Sequence, residues 1–250
     1  MISRRALFGV GVGGLGLSAC DRIAASPRLE SIVGRGQGLT LHAQRLLLSA
    51  QPLAREFRAA DISPVFKPNG SMRPDTDAYQ ALLADNFASW RLAVDGLVRA
   101  PTSFSLADLK ALPARTQITR HDCVEGWSAI GGWTGVPLSV VLGRVGLMPE
   151  ARFVVFHCAD NLGRGPGGLY YESIDLFDAF HPQTILAYGM NGGALPVAHG
   201  APLRLRVERQ LGYKQAKYVM RLEVTDRLDG IGGGKGGFWE DRGYEWYAGI

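Results

Sequence analysis

The run RHDCVEGWSAIGGWTGVPL, residues 120–138, sets a single thiol, Cys123, among an arginine, two carboxylates and two tryptophans. A cysteine in that company has three possible fates: a small core side chain, a nucleophile, or one soft thiolate ligand to a metal whose other ligands are not protein atoms. No second cysteine lies at the spacing of a zinc knuckle or a CxxC pair, which removes both local devices. His121, two residues away, shares a strand face with Cys123, but that spacing does not aim the imidazole at the sulfur. His42, His157, His181 and His199 show no HExxH or paired metal-ligand spacing and read as hydrogen-bonded structural groups. GxSxG, P-loop and strand-helix GxGxxG units are absent; the GGGKGG run at 232–237 lacks the P-loop's terminal Ser or Thr and reads as a flexible tail. A disulfide between Cys123 and Cys158 is a rival in an oxidising compartment, although the apolar run FVVFHC around Cys158 suits a buried, reduced thiol.

The chain around these residues is 250 long, 46% hydrophobic and 20% charged, enough to bury a substantial core. Its net charge of +4 is weak, and no basic cluster interleaved with aromatics accompanies it, so nucleic acid is not an expected partner. At the N-terminus, SRRALFG precedes a short glycine-rich apolar stretch, a pattern like a twin-arginine export signal and too short to be a stable membrane span. LSAC at 17–20 resembles a lipobox, which would make Cys20 an acylated first residue. The expected organisation is a leader over 1–19, a tether over 20–40 and one domain over 41–250. Twin-arginine export carries folded proteins, often with a cofactor in place, to the periplasm.

Within the domain, LTLHAQRLLLSAQPLAREF can form a short helix before Pro52, and ISPVFKPNGSMRPD is an arm punctuated by Pro and Gly. The period of two over 90–95 predicts a half-buried strand ending at Asp95-Gly96. Ser105 and Asp108 resemble a capping box ahead of LADLKAL, a helix that Pro113 stops. QITRHDC reads as a strand delivering Cys123 to a loop, and Pro137 starts a helix through VVLGRV with Gly146 as its cap. An apolar run at 152–158, a hairpin over TILAYGM-NGGALP, and the alternating segments LRLRVE and KYVMRLEV complete an α+β domain with a predominantly β core and short helices. The aromatic tail, with Phe238, Trp239, Tyr244, Trp246 and Tyr247, is expected to pack back on the domain, with a lining role as the alternative.

Four segments in order, ADNFASWRLAVDGLV, CVEGWSAIGGWTGVPL, HPQTILAYGMNGGALPVAHGAPLRLRV and LGYKQAKYV, resemble the sulfite oxidase superfamily of molybdenum enzymes over about 84–224, specifically the catalytic subunits of the periplasmic methionine sulfoxide reductase type. The resemblance implies the sulfite oxidase-type fold, a molybdenum-molybdopterin cofactor and Cys123 as the metal ligand. It also implies pterin contacts from Asn86, Ser89 and Trp90, from Cys158 where the family often has Thr, from His199 where the reductase has Asn, and from Arg204, Gln215, Ala216 and Lys217. Arg204, Lys214 and Lys217, with main-chain N–H groups of GYK, suit a phosphate; surface ion pairing is the plainer reading of the LRLR alternation. The implied activity is two-electron oxygen-atom transfer, preferably reduction of a small-molecule or protein-bound S-oxide, with sulfite oxidation as the alternative. No CxxCH or iron-sulfur spacing exists, so a haem-containing partner, such as a membrane cytochrome, must carry the electrons. The chain ends before the Ig-like domain that sulfite oxidases append, which favours a monomer. A metal-free, lipid-anchored module with the Cys123 to Cys158 disulfide is the reading from another class.

Overall fold

The computed structural model describes residues 52–163 and 166–250, so the leader, the Cys20 site, the tether and the expected helix before Pro52 lie outside the described residues. Two five-stranded sheets carry the domain. The first runs β2 (Thr102–Ser105), β1 (Arg91–Gly96), β10 (Val219–Thr225), β5 (Phe153–Asn161), β6 (Leu169–Asp175), with β1 and β10 parallel and the other pairs antiparallel. The second runs β3 (Arg115–Asp122), β4 (Ser128–Pro137), β7 (Ile185–Met190), β8 (Gly193–Ala194), and β9 (Arg204–Arg206) also pairs β7. The helices are short: α1 (Asp77–Ala84), α2 (Leu106–Ala111), α3 (Leu138–Val145) and α4 (Leu176–Ala179). Among the described residues, no helix is long and apolar enough to cross a membrane.

The local signals act as their chemistry requires. Ser105 Oγ accepts from the Asp108 N–H at 3.1 Å, and the Asp108 carboxylate accepts from the Ser105 N–H at 2.8 Å, a reciprocal cap worth about 1 kcal/mol. α3 begins after Pro137, ends at Gly146 with φ +65°, and buries Leu138, Val141, Leu142 and Val145 in the larger core. Leu92 and Val94 of β1 join them there, as the alternation predicts. The β7–β8 hairpin turns at Asn191 and Gly192, with φ of +50° and +81°, the left-handed pair that a two-residue hairpin needs.

Five elements escape the sequence reading: α1, α4, β2, β4 and β6. In β4 the glycines in SAIGGWTGVP hide a central strand that is buried at most positions. At the irregularity where β4 meets β7, Gly135 lies so close to the partner strand that a Cβ would stand 2.2 Å from the Leu186 carbonyl oxygen. The GGGKGG run is not a loose tail. The Asp241 carboxylate accepts from the N–H groups of Gly233 at 2.6 Å and Lys235 at 2.9 Å, which fixes the turn, and Gly236 and Gly237 are buried.

The backbone at Leu186 cannot yield, so Gly135→Ala should destabilise the domain by about 1–3 kcal/mol. Gly143→Ala, on the exposed face of α3 with nothing within 4 Å of the new methyl, should stabilise it by roughly 0.5–1 kcal/mol. Urea unfolding midpoints of the two variants, moving in opposite directions, check both.

Candidate active site

β3 and β4 pair in register from Arg115 with Gly135 to Asp122 with Ser128, so the turn at 123–127 is the tip of a hairpin. The Cys123 N–H donates to the Trp127 carbonyl at 2.9 Å and the Gly126 N–H to the Cys123 carbonyl at 3.0 Å. This closes the tip and leaves the thiol on the wall of a cavity of about 160 Å³. The cavity lies between the two sheets. Asp160 and Leu162 reach it from the end of β5, Tyr170 from β6, Gln215 and Lys217 from the segment between β9 and β10, and Trp239 and Tyr244 from the tail.

Cys123 and Cys158 are free thiols, so the disulfide reading fails. Cys158 sits on β5 inside the larger core. The nucleophile reading fails as well. Arg206 Nη1 donates to His121 Nδ1 at 3.1 Å, and since a guanidinium only donates, that nitrogen is an acceptor and cannot take a proton from sulfur. Burial together with Arg206 and Arg204 pushes the His121 pKa well below its usual value, and burial raises that of the Cys123 thiol. A thiol without a base is a poor nucleophile, whereas a bound metal ion displaces its proton. Among the described residues, no group of three or more His, Cys, Asp or Glu side chains could hold a metal ion, so none of them completes a metal site around Cys123.

Four buried cations stand in this region, and their partners divide them. Lys214 contacts Glu172 and Glu240, and Arg206 contacts Glu208 at 2.6 Å, so both are neutralised within the fold. Arg204 and Lys217 have no carboxylate within ion-pair distance among the described residues. Arg204 is fully buried and donates only to the carbonyls of His199 at 2.9 Å and Gln215 at 3.5 Å, and its Nε is unpartnered. Lys217 Nζ donates only to the carbonyls of Ser71 and, at 3.0 Å, Ala198. Burial and Arg204 push its pKa down to about 7, while burial and Arg206 push that of Arg204 down to about 9. An uncompensated buried ion costs several kcal/mol. Two of them side by side, with the unpartnered Gln215 Oε1 and Asp160 Oδ1 nearby, form a site for an anion that also offers hydrogen-bond donors.

A protein-family model, the oxidoreductase molybdopterin binding domain, matches residues 80–230, more than half of the chain. The chain belongs to this molybdopterin-binding family. It is 46% identical over 162 residues to the putative protein-methionine-sulfoxide reductase subunit YedZ1 of Azospira oryzae, covering 65% of this chain and 56% of that protein. It is 34% identical over 166 residues to the protein-methionine-sulfoxide reductase catalytic subunit MsrP of Ralstonia nicotianae, covering 63% of this chain and 50% of the relative. The chain thus spans about half the length of the curated relatives it matches. The sulfane dehydrogenase SoxCD of Paracoccus pantotrophus aligns with a TM-score of 0.50 at 28% identity, over 56% of this chain and 39% of that one. The sheet-dominated α+β architecture is therefore the sulfite oxidase-type fold. The residues present fit the family's cofactor: a soft thiol on the cavity wall, two cations lacking an anion, and orphaned polar atoms beside them.

The structure brings Cys123, Gln215 and Lys217 to the cavity, with Arg204 and His199 close behind through the Arg204 contacts and Ala216 buried between Gln215 and Lys217. His199 is half-buried, packs edge-on against Phe66 at 5.5 Å, and is held neutral by burial, Arg204 and Lys217, its pKa falling to about 4. Asn86 and Ser89 stand exposed in the turn after α1, Trp90 is fully buried in the larger core, and none of these three lines the cavity. Lys214, read from sequence as a phosphate ligand, is instead consumed by Glu172 and Glu240.

Sequence reasoning missed Asp160, whose burial raises its pKa to about 7, and the part that the 62–75 arm plays in covering the site. The arm's Phe66 packs against His121, Trp127 and Trp133, and the Ser71 carbonyl accepts from Lys217 and from the Tyr218 hydroxyl at 3.0 Å. The Gly and Pro signals showed an irregular segment, but nothing in them showed what it covers.

Between pH 7 and the ordinary lysine range, the unfolded chain carries a proton on Lys217 that the folded chain lacks. Stability contributed by this group therefore rises with pH across that window and is lost as pH falls toward 7. Lys217→Met should flatten that slope in cofactor-free protein, as read by urea unfolding at pH 7 and pH 9. Lys217→Met and Arg204→Met should each abolish pterin retention, measured as fluorescence of the released, oxidised pterin.

Proposed function

We propose that this chain is the cofactor-bearing catalytic component of an exported system that reduces S-oxides, protein-bound methionine sulfoxide foremost. The names of the two relatives above support the substrate class, and the twin-arginine-like leader supports export and delivery to the periplasm. The observation that carries the reading over sulfite oxidation is the charge of the cavity wall. Among the described residues and beyond Lys217, the ionisable side chains on that wall are the carboxyl groups of Glu125 and Asp160 together with the tyrosines and the Cys123 thiol. An anion such as sulfite would meet these carboxylates, whereas a neutral sulfoxide fits among Val124, Leu162, Tyr213, Trp239 and Tyr244.

In this reading, Cys123 holds molybdenum, while Arg204, Lys217, Gln215 and Asp160 hold the pterin and its phosphate. When bound, the cofactor supplies the two-electron exchange of an oxygen atom. The chain's own residues fix it in place and keep the cavity largely apolar. The Trp127 Nε1–H holds the Glu125 carboxylate at 2.9 Å and Lys67 approaches it at 3.4 Å, which keeps that charge at the cavity mouth. Glu125 has its pKa lowered chiefly by the Trp127 hydrogen bond. A haem protein, for which a membrane cytochrome is the natural form, supplies electrons; acylation at Cys20 would keep the domain near it, as a monomer.

Protein from a molybdenum-replete host should contain about one molybdenum per chain. Cys123→Ala should lose the paramagnetic signal of the bound metal and fall by at least ~10³-fold in activity. With a reduced artificial donor, methionine sulfoxide should be turned over, and with an oxidised artificial acceptor, sulfite should not. Sulfite turnover that exceeds S-oxide reduction would overturn the assignment of direction.

A further inference from the structure

The cavity borders a second polar cluster that cofactor binding does not use. Lys214, on the turn Gly212–Lys214, is fully buried, and its ammonium contacts Glu172 of β6 and, at 2.6 Å, Glu240 of the tail. Glu172 and Glu240 are fully buried too. Two carboxylates and one ammonium would carry a net negative charge in a low-dielectric interior, and one retained proton removes it.

The hydrogen bonds leave two oxygens for that proton, Glu240 Oε2, which is buried without a partner, and Glu172 Oε2, which faces the cavity side through Tyr170. Glu172 Oε1 is occupied by Lys214 Nζ and by the Ser173 N–H at 2.7 Å. Glu172 Oε2 lies 3.4 Å from the Tyr170 hydroxyl, which also lies against the Tyr213 carbonyl. A phenol has one proton, and a carbonyl can only accept. With that proton on Tyr213 O, the contact to Glu172 is satisfied only when Glu172 Oε2 is protonated and donates to Tyr170. Burial and the Glu240 carboxylate push the Glu172 pKa well above its usual value, against the pull of Lys214. The other titratable groups around the pair are Cys158 and Asp160 from β5 and Tyr213 from the turn.

We infer that Glu172 stores a proton and Tyr170, on the cavity wall, releases it into the cavity during oxygen-atom transfer. This rests on the S-oxide reading. In that reaction, one sulfoxide, two protons and two electrons give one sulfide and one water: the S–O bond breaks, an external one-electron carrier of the haem class supplies both electrons, and the oxygen leaves as water. Tyr170 turns its hydroxyl from the Tyr213 carbonyl toward the cavity, passes that proton on and takes the Glu172 proton in exchange. The Glu172 carboxylate is then held by Lys214 until bulk solvent restores its proton, and bulk solvent also supplies the second proton of each turnover. Tyr170 touches the cavity; Glu172 acts through it as a positioning residue.

The test uses the molybdenum-loaded enzyme with a reduced artificial donor and methionine sulfoxide. Glu172→Gln should lower kcat by about 10- to 100-fold with KM nearly unchanged, and should remove the alkaline limb of the kcat profile and change its solvent isotope effect. Tyr170→Phe, which leaves the three-residue cluster intact, should give the same loss and serves if the first variant does not fold. At pH 9, where Asp160 is ionised, the infrared C=O band of a buried protonated carboxyl should be present in the cofactor-free wild type and lost in Glu172→Gln. Wild-type S-oxide reduction with an unchanged pH profile in both variants, or absence of that band, overturns the relay alone. A wild type that reduces no S-oxide overturns the functional reading, and the relay's role with it.

Discussion

Two buried positive charges without carboxylates, Arg204 and Lys217, organise the site. Each costs free energy that no carboxylate among the described residues returns, and neutral groups offset it only in part. Carbonyl oxygens of Ser71, Ala198, His199 and Gln215 take part of the load, which ties the 62–75 arm, the turn at 197–199 and the segment after β9 to one electrostatic centre. The Trp133 ring adds a face for the Arg204 guanidinium at 4.8 Å and the Arg206 guanidinium at 4.3 Å, an attraction of up to about 2 kcal/mol when water is excluded.

Compensation separates these cations from their neighbours. Arg206 stands two residues from Arg204 on the same short strand, and Lys214 three residues before Lys217, yet both carry buried carboxylate partners. Residue type and spacing are nearly alike within each pair. Arg206 has a local partner in Glu208, two residues on, whereas Lys214 depends on the long-range placement of Glu172 and Glu240, which no local pattern encodes. For that reason Lys214 reads from sequence as an anion ligand although two carboxylates occupy it, whereas Arg204 and Lys217 have no carboxylate partner among the described residues.

Legibility elsewhere followed the range of the interaction involved. The Ser105 cap, the Gly146 stop, the Asn191-Gly192 turn and the strand delivering Cys123 are local devices, and the sequence displays each of them. β4 was hidden because its glycines answer to the close approach of β7, and β6 because Tyr170, Tyr171 and Glu172 blur its alternation with groups that serve the cavity and the buried cluster. The aromatic tail was legible as a packed element, and Phe238 indeed joins the larger core, but Trp239 and Tyr244 also line the cavity, so both readings hold for different rings.

The parallel pairing of β1 with β10 has a consequence for the order in which the molecule is assembled. Joining Ala93 to Arg221 closes a loop of roughly 130 residues, a contact whose entropy is recovered only after most of the chain is in place. The β3–β4 hairpin carrying Cys123 needs no such closure and can form early. The segment bearing Gln215 and Lys217 leads directly into β10, so the two sides of the cavity rest on contacts of very different entropic cost: the thiol on a hairpin that closes locally, the cationic side on a strand pairing that spans most of the domain.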